Sequence, residues 1–171
     1  PPPGPRQFRA LVLVPTRELA PKIRGMLHPF TAGSALRVTL VVGGASINRQ
    51  AEALARGADI LVATPGRLID LIERGDVSME RCGYLVLEGA DRMRDRGFIH
   101  ALRRIARHIP VRRQTLLFSA TMPKDIEEVA ATYLRDPVRV QVSPPGKPAD
   151  RIEQGVHYIP QGDKARLLEE Y

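Results

Sequence analysis

Glu88 and Asp91 stand three residues apart at the end of an apolar run, in "YLVLEGADRM" (Tyr84–Met93). An apolar strand that ends on carboxylates can present hard oxygen ligands to magnesium beside a phosphate-bearing ligand. Gly89 sits between the two acids, where a third carboxylate would be looked for. The stretch alone therefore allows three readings: a working metal site, a damaged one, or only the end of a buried strand.

Four other apolar runs end on residues that could contact phosphate. "PTRELA" (Pro15–Ala20) offers Thr16 as a helix cap and Arg17 beside free backbone N–H groups, with Glu18 favourable near the positive helix end. Pro21 in the expected second turn would delete a helical hydrogen bond and kink the helix. Gly43-Gly44 lets the backbone approach a neighbour closely. "TPGR" (Thr64–Arg67) supplies Thr64 as cap, Pro65 at the first helical position, Gly66 with no side chain to obstruct, and Arg67 reaching outward. Each segment alone reads as a turn or a capped helix; three on one sheet edge describe a track for a phosphate backbone. "SAT" (Ser119–Thr121) places two hydroxyls where they can bond a neighbouring carboxylate, with Asp91 as the candidate.

The elements that must position these residues alternate regularly. Apolar strands are expected at 10–14, 38–42, 60–63, 84–87, 115–119 and, closing the series, "VRVQV" at Val138–Val142. Helical patterns lie between them, near 17–29, 48–56, 65–73, 98–108 and 123–134. Short continuous apolar strands separated by amphipathic helices mean an α/β fold, a parallel sheet with helices on both faces. In such sheets ligands gather at the carboxyl ends of the strands. "SPPGKPAD" (Ser143–Asp150) has the composition of an interdomain linker, so residues 1–142 form the expected domain and 151–171 read as the first strand and helix start of another.

The 171 residues are 43% hydrophobic and 26% charged, enough for a core and a wet surface. No apolar run approaches the ~20 residues of a membrane span, and the N-terminus lacks a signal pattern. Cys82 is the one cysteine, which excludes an internal disulfide; beside a strand it reads as buried and inert, and the expected compartment is the cytoplasm. Net charge is +7, and 22 of the 26 basic residues are arginine, a balance that favours nucleic acid as partner.

Taken in order, "PTRELA", "GG", "TPGR", "VLEGADRM" and "SAT" resemble the first RecA-like domain of DEAD-box ATP-dependent RNA helicases, of the P-loop NTPase type. "QTLLFSATMP", "IEQGVHYI" and "DKARLLEE" fit the same family. The resemblance implies that Pro15, Thr16, Arg17, Glu18, Gly44, Thr64, Pro65, Gly66 and Arg67 contact the sugar-phosphate backbone of single-stranded RNA. It implies that Ser119 and Thr121 couple the nucleotide site to RNA through Asp91, and that ATP and magnesium are the cofactors.

The departures lie at the nucleotide. The family's acidic motif reads Asp-Glu-Ala-Asp; here it is Glu88-Gly89-Ala90-Asp91. Glu88 falls where an aspartate would hold magnesium through water, and its extra methylene moves the carboxylate by roughly an ångström, enough to cost about 10²-fold. Gly89 falls where a glutamate would activate the attacking water, a role commonly worth about 10²–10⁴-fold. No G-x-x-x-x-G-K-[ST] occurs, and Gly146-Lys147 is followed by proline. The family's P-loop segment is expected before Pro1 and the second RecA-like domain after Tyr171. The fold should then lack the P-loop strand, which belongs between the Thr115 and Val138 strands, leaving strand edges unpaired. The expected function is a piece of an ATP-dependent RNA helicase, inactive as an ATPase on its own; a catalytically inactive RNA-binding module is the alternative.

Overall fold

The computed structural model describes residues 2–93 and 95–142; the linker and second-domain readings at 143–171 lie outside the described residues. Residues 1–139 form one compact unit. Five strands build its sheet: β1 (Ala10–Leu13), β2 (Val38–Val41), β3 (Ile60–Ala63), β4 (Tyr84–Glu88) and β5 (Gln114–Phe118). Their order is β2-β3-β1-β4-β5, and every pairing is parallel. Five helices connect them: α1 (Leu19–Thr31), α2 (Ile47–Ala55), α3 (Pro65–Glu73), α4 (Arg96–Ala106) and α5 (Lys124–Tyr133).

Strand alternation assigns the two faces. Leu11, Leu13, Leu61, Leu85 and Leu87 point to one face and are fully buried with Leu54, Leu68, Leu71, Leu102 and Ile105 from the helices. On the other face Val12, Leu40 and Val62 meet Ala20, Ile23 and Leu27 of α1. Helices cover both faces, as the pattern predicts, but the second is covered unevenly. Tyr84, Leu116 and Phe118 on the β4–β5 half stay exposed.

Two expectations fail for physical reasons. Val138–Val142 forms no strand; Val138, Val140 and Val142 are 91, 89 and 100% exposed. No described strand lies against the outer edge of β5, and β-propensity alone does not make a strand. The first helix also begins two residues later than the pattern predicts. Pro21 is therefore its third residue, in the first turn, where no helix pairs the N–H, and the expected hydrogen-bond loss does not arise. Pro29 near the other end is the proline inside the helix.

Cys82 is buried, and its Sγ lies 3.4 Å from the Tyr84 carbonyl oxygen. Burial pushes its thiol up to about 11 from an ordinary 9.0. The thiolate fraction at pH 8 then falls about 100-fold below that of the unfolded chain. Labelling by a disulfide reagent at pH 8 should be at least that much slower in the native chain than in denaturant. Because the folded value is the higher one, the associated stability is present below pH 9 and is lost as pH rises toward 11.

Candidate nucleic-acid interface

Parallel pairing in register puts the carboxyl ends of β1, β2, β3, β4 and β5 on one rim. Pro15–Glu18, Gly43–Ala45, Thr64–Arg67, Glu88–Asp91 and Ser119–Thr121 all follow directly from those ends. The sequence-predicted residues therefore converge on one edge, although they do not all act as predicted.

At the end of β1, the residue that caps α1 is Glu18, and no side-chain cap is formed. Thr16 is displaced from the capping role by the late helix start and contributes its carbonyl, which accepts from Leu19 N–H at 3.3 Å. Arg17 Nε donates to Glu18 Oε1 at 2.9 Å in solvent and holds that carboxyl below its usual range. The same guanidinium lies over Gly44, which adopts φ +78; a Cβ on Gly44 would come within 2.5 Å of the Arg17 terminal nitrogen. Gly44 is thus favoured for its left-handed backbone, and its bare Cα also leaves the Arg17 guanidinium where it lies.

At the end of β3, Thr64 holds the cap position with extended backbone but makes no side-chain cap bond. Its N–H donates to Val41 O at 3.0 Å and its carbonyl accepts from Leu68 N–H at 3.1 Å. Pro65 has no N–H, so Gly66 and Arg67 hold the first backbone donors of α3, and no side chain caps them. Gly66 is exposed, and a Cβ built on it meets nothing within 4 Å. Thr64 and Pro65 thus stand at the cap and first helical positions, without the side-chain cap that Thr64 was expected to supply.

Arg67 does not reach outward. Its guanidinium turns back and donates to Ala45 O at 2.7 Å and to Gln50 Oε1 at 3.0 Å. Gln50 is buried and donates onward to Val42 O at 2.9 Å. An arginine half-buried beside two unpaired acceptors is better satisfied by them than by water, which decides its direction. One Arg67 nitrogen is used twice, leaving Nε and the other terminal nitrogen for a ligand. Gln50 was absent from the sequence-based candidates. A signal existed: with Ile47, Ala51 and Leu54 it occupies the inward stripe of α2, where an amide needs a reason.

The acidic turn divides into two halves. Asp91 N–H donates to Ser119 Oγ at 3.0 Å, Ser119 Oγ lies 3.1 Å from Asp91 Oδ1, and Ala120 N–H donates to that oxygen at 3.3 Å. The predicted Asp91–Ser119 link is therefore present. Thr121 enters through its carbonyl, 2.5 Å from Ser119 Oγ, and its hydroxyl does not bond Asp91. Glu88 ends β4 opposite Phe118. Gly89 turns the chain in the left-handed region, φ +66 and ψ +43, against the Pro15 ring.

Residues 4–129 match the family model described as DEAD/DEAH box helicase. The chain belongs to that family. It is 43% identical over 163 residues to RNA helicase CrhR of Synechocystis sp., covering 95% of this chain and 33% of that protein. It is also similar to the crystal structure of a DEAD box protein from the hyperthermophile Methanococcus jannaschii, at TM-score 0.71 and 36% identity, over 76% of this chain and 36% of the other. The helicase-family chain thus spans about a third of the length of these relatives.

The family implies magnesium and ATP, and the acidic turn holds two carboxylates. Asp91 Oδ1 is bonded by Ser119 and Ala120, Gly89 carries no side chain, and Glu88 supplies the second carboxylate. No group of three or more His, Cys, Asp or Glu that could hold a metal occurs among the described residues.

The left-handed turn at Gly89 generates a stability prediction. Gly89→Ala adds a Cβ at φ +66, only 3.3 Å from Pro15 Cγ. It should cost about 1–2 kcal/mol, read as a lower urea midpoint at unchanged slope.

Proposed function

We propose that this chain is the RNA-gripping part of a DEAD-box ATP-dependent RNA helicase, binding single-stranded RNA through its sugar-phosphate backbone. The observation that carries this reading is the start of α3: N–H groups at Gly66 and Arg67 that no side chain caps, at an exposed glycine on the same rim as Arg17. A helix N-terminus favours negative charge by its partial positive charge and its free donors. Arg17 adds a full charge, and the unused nitrogens of Arg67 add donors.

The other residues act by placement. Gly44 leaves room for Arg17, Pro65 fixes the first helical φ, and Gln50 with Ala45 anchors Arg67. No aromatic residue stands among Pro15–Glu18, Gly44 and Thr64–Arg67, so this track holds phosphate and sugar and reads no base sequence. Coupling to the nucleotide runs from Asp91 through Ser119, which ties the ends of β4 and β5 together. ATP hydrolysis and duplex opening belong to the whole helicase, where a second RecA-like domain completes the clamp. For this chain alone we propose binding without hydrolysis, because Gly89 offers no group to activate water. Its place of work is the cytoplasm; no described helix is long and apolar enough to cross a membrane.

Fluorescence anisotropy of a labelled single-stranded RNA tests the track. Binding should saturate and weaken with salt, and Arg17→Gln should lower the salt slope by about 0.7. Gly66→Ala should weaken binding severalfold while leaving stability equal or raised by up to about 1 kcal/mol, since the helix gains propensity and nothing is displaced. Binding indifferent to both substitutions would overturn the reading. ATP hydrolysis above the buffer blank by the 171-residue chain would overturn its second half.

A further inference from the structure

The run from Arg96 to Arg113 contains six arginines, two histidines and no carboxylate. Outside it the chain has 20 basic and 19 acidic residues, so nearly all of the +7 net charge comes from these eighteen positions. Two of the six arginines have structural work. Arg104 pairs with Glu73 of α3, and Arg113 donates to Thr115 Oγ1, Pro110 O and Tyr133 O. Arg96, Arg103, Arg107 and Arg112 are exposed, and none forms an ion pair among the described residues.

Three of these four align. Arg96, His100, Arg103 and Arg107 recur at intervals of four, three and four residues along α4 and its cap, within about a 60° arc of the helix and over about 16 Å. Ala101, Leu102 and Ile105 occupy the opposite side and are buried. Helix polarity does not account for the stripe. Cations in the last turn are favourable, which suits Arg103 and Arg107, but Arg96 stands at the first turn, where a positive charge is unfavourable. A row of like charges without partners also repels itself, so its arrangement fits a polyanion laid along it.

We infer that the exposed face of α4 is a second RNA-binding surface, which takes the phosphate backbone of duplex RNA. The stripe has no Phe, Tyr or Trp and sets three guanidinium groups and His100 in a row at regular spacing. A straight row of charge matches a ligand whose phosphates are themselves regularly spaced, and A-form RNA is gripped mainly through its backbone and shape. The stripe also begins near the rim and leads away from it, because α4 follows the carboxyl end of β4 and leads back to the start of β5. A duplex on α4 would adjoin a single strand on the rim. The inference stands on the charge pattern and does not require the rim site.

The test uses a blunt, labelled RNA duplex without overhangs. The triple variant Arg96→Gln, Arg103→Gln, Arg107→Gln keeps helix-forming residues on the solvent face, so folding is preserved. A control with the same net charge, Arg24→Gln, Arg56→Gln, Arg81→Gln, changes exposed arginines elsewhere. The α4 variant should lose at least tenfold in affinity and flatten the salt slope by between two and three, whereas the control changes less than twofold. A lysine triple at the α4 positions should retain binding, and Gly66→Ala should leave duplex binding unchanged while weakening single-strand binding. Equal losses in the α4 variant and the control would overturn the assignment. So would competition by poly-glutamate as effective, charge for charge, as the duplex, which would make the surface a dock for acidic protein.

Discussion

Parallel hydrogen bonding in register is the constraint on which everything else rests. Because β2, β3, β1, β4 and β5 run the same way, their carboxyl ends cannot avoid sharing a rim. Five short loops separated by up to a hundred residues of sequence are thereby brought to one edge. The buried leucines of β1, β3 and β4 fix that register, since a slip by one residue would turn them to the opposite face of the sheet. The position of the rim loops is therefore set by packing beneath them. Arg67 then refines the edge by bonding Ala45 O and Gln50, so the loop after β2 is positioned from α3.

The sheet and its parallel sense were legible because continuous apolar runs such as "ILVA" are buried on both faces, and the helices between them have a clear period. The rim was legible for the same reason. Side-chain direction was not. Arg67 looked like a free cation because the sequence does not show that two acceptors lie within its reach. Thr16 looked like a cap because a one-turn uncertainty in a helix start is invisible to a period of 3.6 residues. Val138–Val142 looked like a strand because alternating valines carry a strong β signal. A strand is completed by its neighbour, however, and the neighbour is not coded within the segment.

The uncovered half of the sheet follows from the same logic. Among the described residues β5 pairs with β4 alone, and Leu116 and Phe118 on its outer face remain exposed, Phe118 by 51%. An open edge of this kind invites pairing with another strand. Arg112 and Arg113 stand immediately before β5, and Arg113 is itself locked to Tyr133 O and Pro110 O. Positive charge at the entrance of an edge strand opposes self-association of like chains, since two copies would bring like arginines together.

The acidic turn shows how a structural half and a chemical half can separate. Asp91 binds Ser119 and the Ala120 N–H, joining β4 to β5 without any side-chain contribution from residues 88 or 89. The turn that delivers Asp91 to that place requires a left-handed residue, and glycine adopts φ +66 without the steric penalty that any Cβ would bring. A glutamate at position 89 would add a carboxylate but would have to occupy the same left-handed conformation beside the Pro15 ring, at a cost of about 1–2 kcal/mol. Glycine therefore favours the left-handed geometry that couples the two strands. The two demands fall on one residue, and here the backbone demand is met.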